Sequence, residues 1–301
     1  MNLYMNRFQI RDLEEFSGVK AHTIRMWEKR YGLLAPDRTG TNIRTYSLDE
    51  LKVILNVAYL NQKGYKISKI AALTPADRER LVSEVAGDKL VGSDVLNSLK
   101  LAMLSFDEVL FDSVSSKFRD LYGFRALVEQ VYVPLLEQIG LLWQSNSICP
   151  AQEHFVSNLI RHKIIIATGA LPLNSAPKAR VFVLYLPENE IHELGLLYLD
   201  YLLRSKGQRT VYLGQSVPVA DLEQVVSKFE SKVVLVTLLM ANPPAPEIPA
   251  FLRGLRDMLP SEQVSFWIAG SQLAKLPDMS VPEGMFVHPS LASMVQAVDA
   301  V

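Results

Sequence analysis

The chain holds five histidines, and one of them sits in a spacing suited to a ligand. In Pro187-Glu-Asn-Glu190-Ile-His192-Glu-Leu-Gly195 a carboxylate precedes the imidazole by two residues and a glycine follows it by three. A carboxylate so placed can accept the proton of one ring nitrogen, which fixes the tautomer and frees the other nitrogen for a metal. By itself the triplet is equally an ordinary turn histidine. A second chemical signal lies near the N-terminus, where His22, Arg25, Lys29, Arg30, Arg38 and Arg44 crowd into 23 residues. Cations in that density suit a polyanion or a plain solvated face. The single cysteine, Cys149, excludes an internal disulfide and a cysteine metal cluster, and no partner set marks it as a nucleophile.

Behind the histidine stand elements able to hold it. From about residue 179, apolar runs alternate with helical stretches. The runs are Val181–Leu186, Thr210–Leu213, Val233–Leu238 and Val264–Ala269, with a short one at Met285–His288. Such alternation predicts a parallel sheet with helices on both faces. Ligands of these sheets sit at the carboxyl ends of the strands. His192, Thr237 and Gly270 fall at or just past three such ends and could line one crevice. Residues 76–175 read as almost wholly helical, with apolar i, i+3, i+4 spacing in Asp94–Phe118, Leu127–Gln144 and Ala151–Leu171. A four-helix bundle is expected there.

The basic residues also have a scaffold. Ile10, Leu13 and Phe16 mark a short helix stopped at Gly18, and Ile24, Trp27 and Tyr31 mark a second that ends at Gly32. Two short helices across a tight turn form a helix-turn-helix. A hairpin with its tip near Gly40 follows, then a helix opened by a Ser47–Glu50 capping box. Residues 1–75 carry 12 Lys and Arg against 7 Asp and Glu, net +5, on a chain of net charge -1. Three domains are expected, at 1–75, 76–175 and 179–301. The fold class is multidomain α plus α/β: winged helix-turn-helix, helical bundle and Rossmann-like parallel sheet. No basic-then-apolar leader and no apolar run of about 18 residues appears, so a cytoplasmic protein that does not span a membrane is expected.

Residues 22–51 resemble the winged helix-turn-helix of the MerR family of transcription regulators. The likeness rests on Ile24-Arg25, Met26-Trp27, Glu28-Lys29, Gly32-Leu33-Leu34, Pro36, Arg38 and Arg44-Thr45-Tyr46-Ser47. It implies double-stranded DNA as partner. Arg25 and Lys29 would face the groove, with His22 and Arg30 beside them, and Arg38, Arg44 and Tyr46 would contact phosphates. The metal-binding cysteines and long dimerisation helix of the family's metal sensors are absent from the sequence.

The remainder is similar to the cobalamin-binding CarH and LitR group of that family. Three features carry the likeness: Glu190-x-His192-x-x-Gly195; Thr237-Leu-Leu with Ala269-Gly270; and Trp143 followed after nine residues by Glu153-His154. The resemblance implies His192 as the lower ligand of cobalt, with Glu190 orienting it. Gly195, Thr237 and Gly270 would accommodate the nucleotide tail. Trp143, Glu153 and His154 would cap the adenosyl group of adenosylcobalamin, or meet another cobalamin. Two departures stand out: Ala269 replaces a glycine, and Gln144 replaces the histidine that light-sensing members place after the tryptophan. The expected function is a DNA-binding regulator, a repressor by the likeness, whose self-association (dimer or tetramer) and DNA affinity respond to adenosylcobalamin, with or without light. The alternative keeps the DNA-binding head and treats the rest as a cofactor-free scaffold for oligomers or partners. An enzyme is not expected, because no stretch remains to build a substrate domain.

Overall fold

The computed structural model describes residues 7–86, 92–144, 148–173, 180–259 and 262–301. The chain divides into two compact units, Met1–Leu159 and Ile160–Val301.

In the first unit, α1 (Ile10–Ser17) and α2 (Ala21–Tyr31) pack through Leu13, Phe16, Ile24 and Trp27. Gly18 ends α1 in the left-handed region at φ 71°, and its N–H donates to the Glu14 carbonyl at 2.8 Å. That conformation costs a glycine least, which is why the turn is so short. Strands β1 (Asp37–Arg38) and β2 (Arg44–Thr45) pair antiparallel as a small wing. Helix α3 (Leu48–Gln62) begins with the expected capping box: the Ser47 hydroxyl accepts from Glu50 N at 3.2 Å, and Glu50 accepts from Ser47 N at 2.8 Å. Helix α4 (Ile67–Ala71) follows.

The helical region contains α5 (Pro75–Ala86), α6 (Gly92–Ser105), α7 (Glu108–Tyr122), α8 (Phe124–Leu127), α9 (Val133–Gln144) and α10 (Pro150–Gly169). The periodic stretch 94–118 is two helices. Phe106 takes φ 53°, and the Asp107 carboxylate caps α7 by accepting from Leu110 N at 2.9 Å. A π-helical turn, Val128–Tyr132, joins α8 to α9. Pro134 follows it and has no N–H to continue the α ladder, which fits a widened register just before it. Leu99, Met103, Phe111, Val131, Tyr132, Leu135 and Val156 are buried. The boundary between the units falls inside α10.

The second unit is a five-stranded parallel sheet: β3 (Val181–Pro187), β4 (Arg209–Val217), β5 (Val233–Leu238), β6 (Val264–Ala269) and β7 (Met285–Val287), in the order β4-β3-β5-β6-β7. Helices α11 (Leu194–Ser205), α12 (Asp221–Val226), α13 (Ile248–Met258) and α14 (Leu291–Asp299) cover it. Val181, Val183, Tyr185, Val233, Leu235, Phe266 and Ile268 meet Leu222, Ile248, Leu252 and Leu255 of α12 and α13 on one face. The alternate residues turn to the other face, where α11 and α14 pack. Every residue of β3 and β5 is buried, as continuous apolar runs in a doubly covered sheet should be. Helix α14, which the sequence reading did not identify, has a plain start signal: Ser290 caps it through Ser293 N at 3.1 Å. From β3 the chain runs outward to β4, then returns to the other side of β3 with β5. The crevice of such a sheet opens where this reversal occurs, at the carboxyl ends of β3 and β5.

Candidate functional site

At that reversal lies Glu190, fully buried. Its Oε1 accepts the N–H groups of Ile191 at 2.9 Å and His192 at 3.1 Å, and meets His192 Nδ1 at 2.5 Å. Its Oε2 accepts the N–H groups of Met240 at 3.0 Å, Ala241 at 2.6 Å and Asn242 at 2.9 Å from the loop after β5. Burial opposes the charge on this carboxyl, but the Ala241 and Asn242 amides and the His192 ring outweigh it and hold the pKa down to about 2. A carboxylate in this state only accepts. Nδ1 of His192 is therefore the ring nitrogen that donates to it, which leaves Nε2 for another partner. The His192 side chain is 56% exposed. The result is an imidazole oriented through Nδ1 on a side chain that is more than half exposed.

The surrounding loops are tied to this point. Asn242 Nδ2 donates to the Asn189 carbonyl at 2.9 Å, Gln215 Nε2 to the Ile191 carbonyl at 3.1 Å, and Ser216 N to the Glu190 carbonyl at 3.2 Å. Glu193, next to the histidine, is buried and accepts from Arg161 Nε at 2.5 Å and Tyr212 Oη at 2.9 Å. Burial and the Glu193 charge push the Tyr212 hydroxyl pKa up, which keeps it a donor. Exposed Ile191 and Met240 bring apolar surface to the two loops that Glu190 joins. None of Met240, Ala241 and Asn242 stood out in the sequence, because they act through backbone N–H groups that only the fold delivers.

The remaining residues of the crevice differ in what they offer. The Thr237 hydroxyl is fully buried near the carboxyl end of β5, and its neighbour there is the buried Tyr185 hydroxyl of β3. Gly270 has φ 140°, and a Cβ there would lie 2.1 Å from the Leu239 carbonyl oxygen, so the close passage of two loops already requires this glycine. A Cβ on Gly195 would meet Leu238 Cδ1 at 2.8 Å and Leu291 Cδ2 at 3.4 Å. Two leucine ends occupy the space a side chain would need, while the Gly195 backbone itself stays partly exposed.

In the first unit, Glu153 and His154 occupy the first turn of α10. His154 Nδ1 lies 2.7 Å from Glu153 Oε2, and the Ser157 hydroxyl donates to Glu153 Oε1. His154 is 71% exposed. Trp143 and Gln144 belong to the last turn of α9, and their side chains lie outside the described residues.

The basic head is built around α2. Ile24 and Trp27 are buried, while His22, Arg25, Lys29 and Arg30 are exposed. Among the described residues, no carboxylate forms an ion pair with any of these four. Arg38 is exposed on the wing and donates to Asn42 Oδ1 at 2.6 Å. Tyr46 corrects an expectation. It is fully buried, and its hydroxyl donates to Glu28 Oε2 at 3.1 Å. A buried hydroxyl held by a carboxylate has no path to a phosphate. Arg44 donates to the other Glu28 oxygen at 3.0 Å and keeps 36% side-chain exposure. Both residues fasten the wing to α2.

A DNA-reading head joined to a parallel sheet with a presented histidine defines the class: a ligand-responsive DNA-binding regulator. Residues 8–77 match the family described as "MerR HTH family regulatory protein", and residues 95–167 match "B12 binding domain". The chain is 32% identical over 291 residues to the HTH-type transcriptional repressor CarH of Myxococcus xanthus, spanning 93% of this chain and 94% of that relative. It is 30% identical over 241 residues to the repressor CarA of the same organism, spanning 78% of each. Among solved structures, the Methanosarcina barkeri monomethylamine corrinoid protein superposes with a TM-score of 0.56 at 14% identity, over 70% of this chain and 100% of that one. The chain belongs to the family of MerR-type transcriptional regulators with a B12-binding module that includes CarH and CarA. It is a regulator rather than an enzyme. No helix among the described residues is long and apolar enough to cross a membrane.

Proposed function

We propose that this chain is a cytoplasmic repressor whose binding to double-stranded DNA is governed by adenosylcobalamin. The observation that carries the proposal is the Glu190–His192 pair, in which a buried carboxylate orients an exposed imidazole at the crevice of the sheet. Its donor set fits a corrinoid: an imidazole oriented through Nδ1, exposed apolar Ile191 and Met240, and a buried Thr237 hydroxyl beside that of Tyr185. When bound, the corrinoid supplies a cobalt centre and a broad planar ring. His192 would hold the metal and Glu190 would keep its imidazole oriented. Gly195, Thr237 and Gly270 would border the nucleotide tail, and Trp143, Glu153 and His154 would cap the upper ligand. His22, Arg25, Lys29, Arg30, Arg38 and Arg44 would meet DNA, with Tyr46 bracing the wing. We assign the three functions to residues 1–75, 76–175 and 179–301. The cofactor would act by changing how copies associate into dimers or tetramers, and so how many heads engage one operator.

The test mixes apoprotein with adenosylcobalamin in darkness, records the visible spectrum and the mass in solution, and then illuminates. Retained cobalamin with a histidine-ligated spectrum and an increased mass is expected. His192→Ala should lose that spectrum. A chain that retains no cobalamin refutes the proposal and favours a cofactor-free scaffold. Gln144 in place of a histidine argues for a weak or absent light response.

A further inference from the structure

The exposed face of α2 carries His22, Arg25, Lys29 and Arg30, and a single apolar side chain. Met26 is 50% exposed, although a methionine gains from burial. At about 100° per residue, His22, Met26 and Lys29 fall along the middle of that face. Arg25 and Arg30 lie on its two edges. Ile24, Trp27 and Tyr31 lie on the opposite side, and the first two are buried. Arginines at the edges of a groove-bound helix reach the phosphate walls, whereas the middle of the face meets the floor. Met26 is thus the apolar side chain directed at base edges. In the major groove the thymine 5-methyl is the apolar group available to it. Met26 also has a supporting neighbour: Trp27, the next residue, is buried and anchors the helix, so the thioether is held out from a fixed backbone.

We propose that Met26 is a specificity-determining residue that packs on a thymine 5-methyl in each operator half-site. The proposal rests on the DNA-binding role of the head and adds what the head reads. Packing one methyl against the thioether is worth about fourfold in affinity per half-site, by the free energy of burying one such carbon. An unbranched thioether also tolerates small shifts of the methyl it covers.

The experiment uses the full chain. Preferred duplexes are enriched from a random pool, and each thymine of the winner is then replaced by deoxyuridine, which removes only the methyl. Expected is one symmetry-related pair of positions where uracil weakens the wild type about fourfold per half-site. Met26→Ala should bind the thymine duplex as weakly as the wild type binds the uracil duplex, and should not distinguish the two. Met26→Leu should keep most of the distinction. A wild type indifferent to every replacement overturns the proposal. So does a Met26→Ala variant that keeps the full thymine preference. Enrichment of no duplex at all overturns the sequence-specific role of the head, and this proposal with it; that failure is visible at the selection step, before any variant is compared. Met26 is half-exposed, so its substitution leaves the core of the head intact. Circular dichroism and nonspecific DNA affinity unchanged from wild type verify this for each variant.

Discussion

Glu190 is the residue on which the crevice depends, because it is both buried and charged. Five backbone N–H groups and one ring nitrogen satisfy it. Removal of such a carboxylate strands donors from two loops. Its folded pKa of about 2 lies below the ordinary 4.5. A depressed acid stabilises the fold fully above its ordinary pKa, and that contribution is lost as pH falls toward the folded value. The shift corresponds to on the order of 3 kcal/mol. Denaturant unfolding between pH 2 and pH 6 should show this step in the wild type, and Glu190→Gln should flatten it. The same variant should weaken cobalamin binding by about 10- to 100-fold, the usual cost of losing the carboxylate that orients a metal-binding histidine. An unchanged affinity would show that Glu190 serves the loops alone.

At the scale of elements, loops rather than helices or strands set the site. The loops after β3 and β5 share one carboxylate, and Gln215 and Ser216 at the end of β4 bond to the same turn. Gly270 lets the loop after β6 pass the Leu239 backbone, where a methyl would fall 2.1 Å from the carbonyl oxygen. Gly270→Ala should therefore destabilise the second unit by several kcal/mol, roughly the scale of a strained backbone plus a lost close contact. Thermal unfolding checks this, and a change below about 1 kcal/mol would mean that the Leu239 segment yields easily. In the head, Glu28 plays a comparable joining role. By holding Arg44 and Tyr46 it sets where the wing stands relative to α2.

For the whole molecule, charge is unevenly spread: the head is net +5 while the chain is net -1. DNA binding by such a head is driven largely by counterion release, so it weakens steeply with salt. Arg30→Ala, at the edge of the α2 face, should lower the slope of log affinity against log salt by about 1 for each engaged head, with little change in sequence preference. Met26→Ala should do the reverse. Titrations at several salt concentrations separate the two, and equal slopes for Arg30→Ala and wild type would take Arg30 off the phosphates.

Much of this protein is written in local patterns. The capping box at Ser47 and Glu50, the Gly18 turn, the period of α2 and the apolar runs of β3 and β5 each arise from forces between near neighbours. They could be read residue by residue. The spacing of Glu190 and His192 likewise announced a carboxylate–imidazole pair. Sequence alone could not supply what comes from distant segments. The amides of Met240, Ala241 and Asn242, fifty residues further along the chain, carry no side-chain signature. Tyr46 looked like a surface phosphate contact until packing buried it against Glu28. Local propensity fixes elements and their ends. Burial and the satisfaction of buried charge, which depend on which segments meet, were decided only by the tertiary structure.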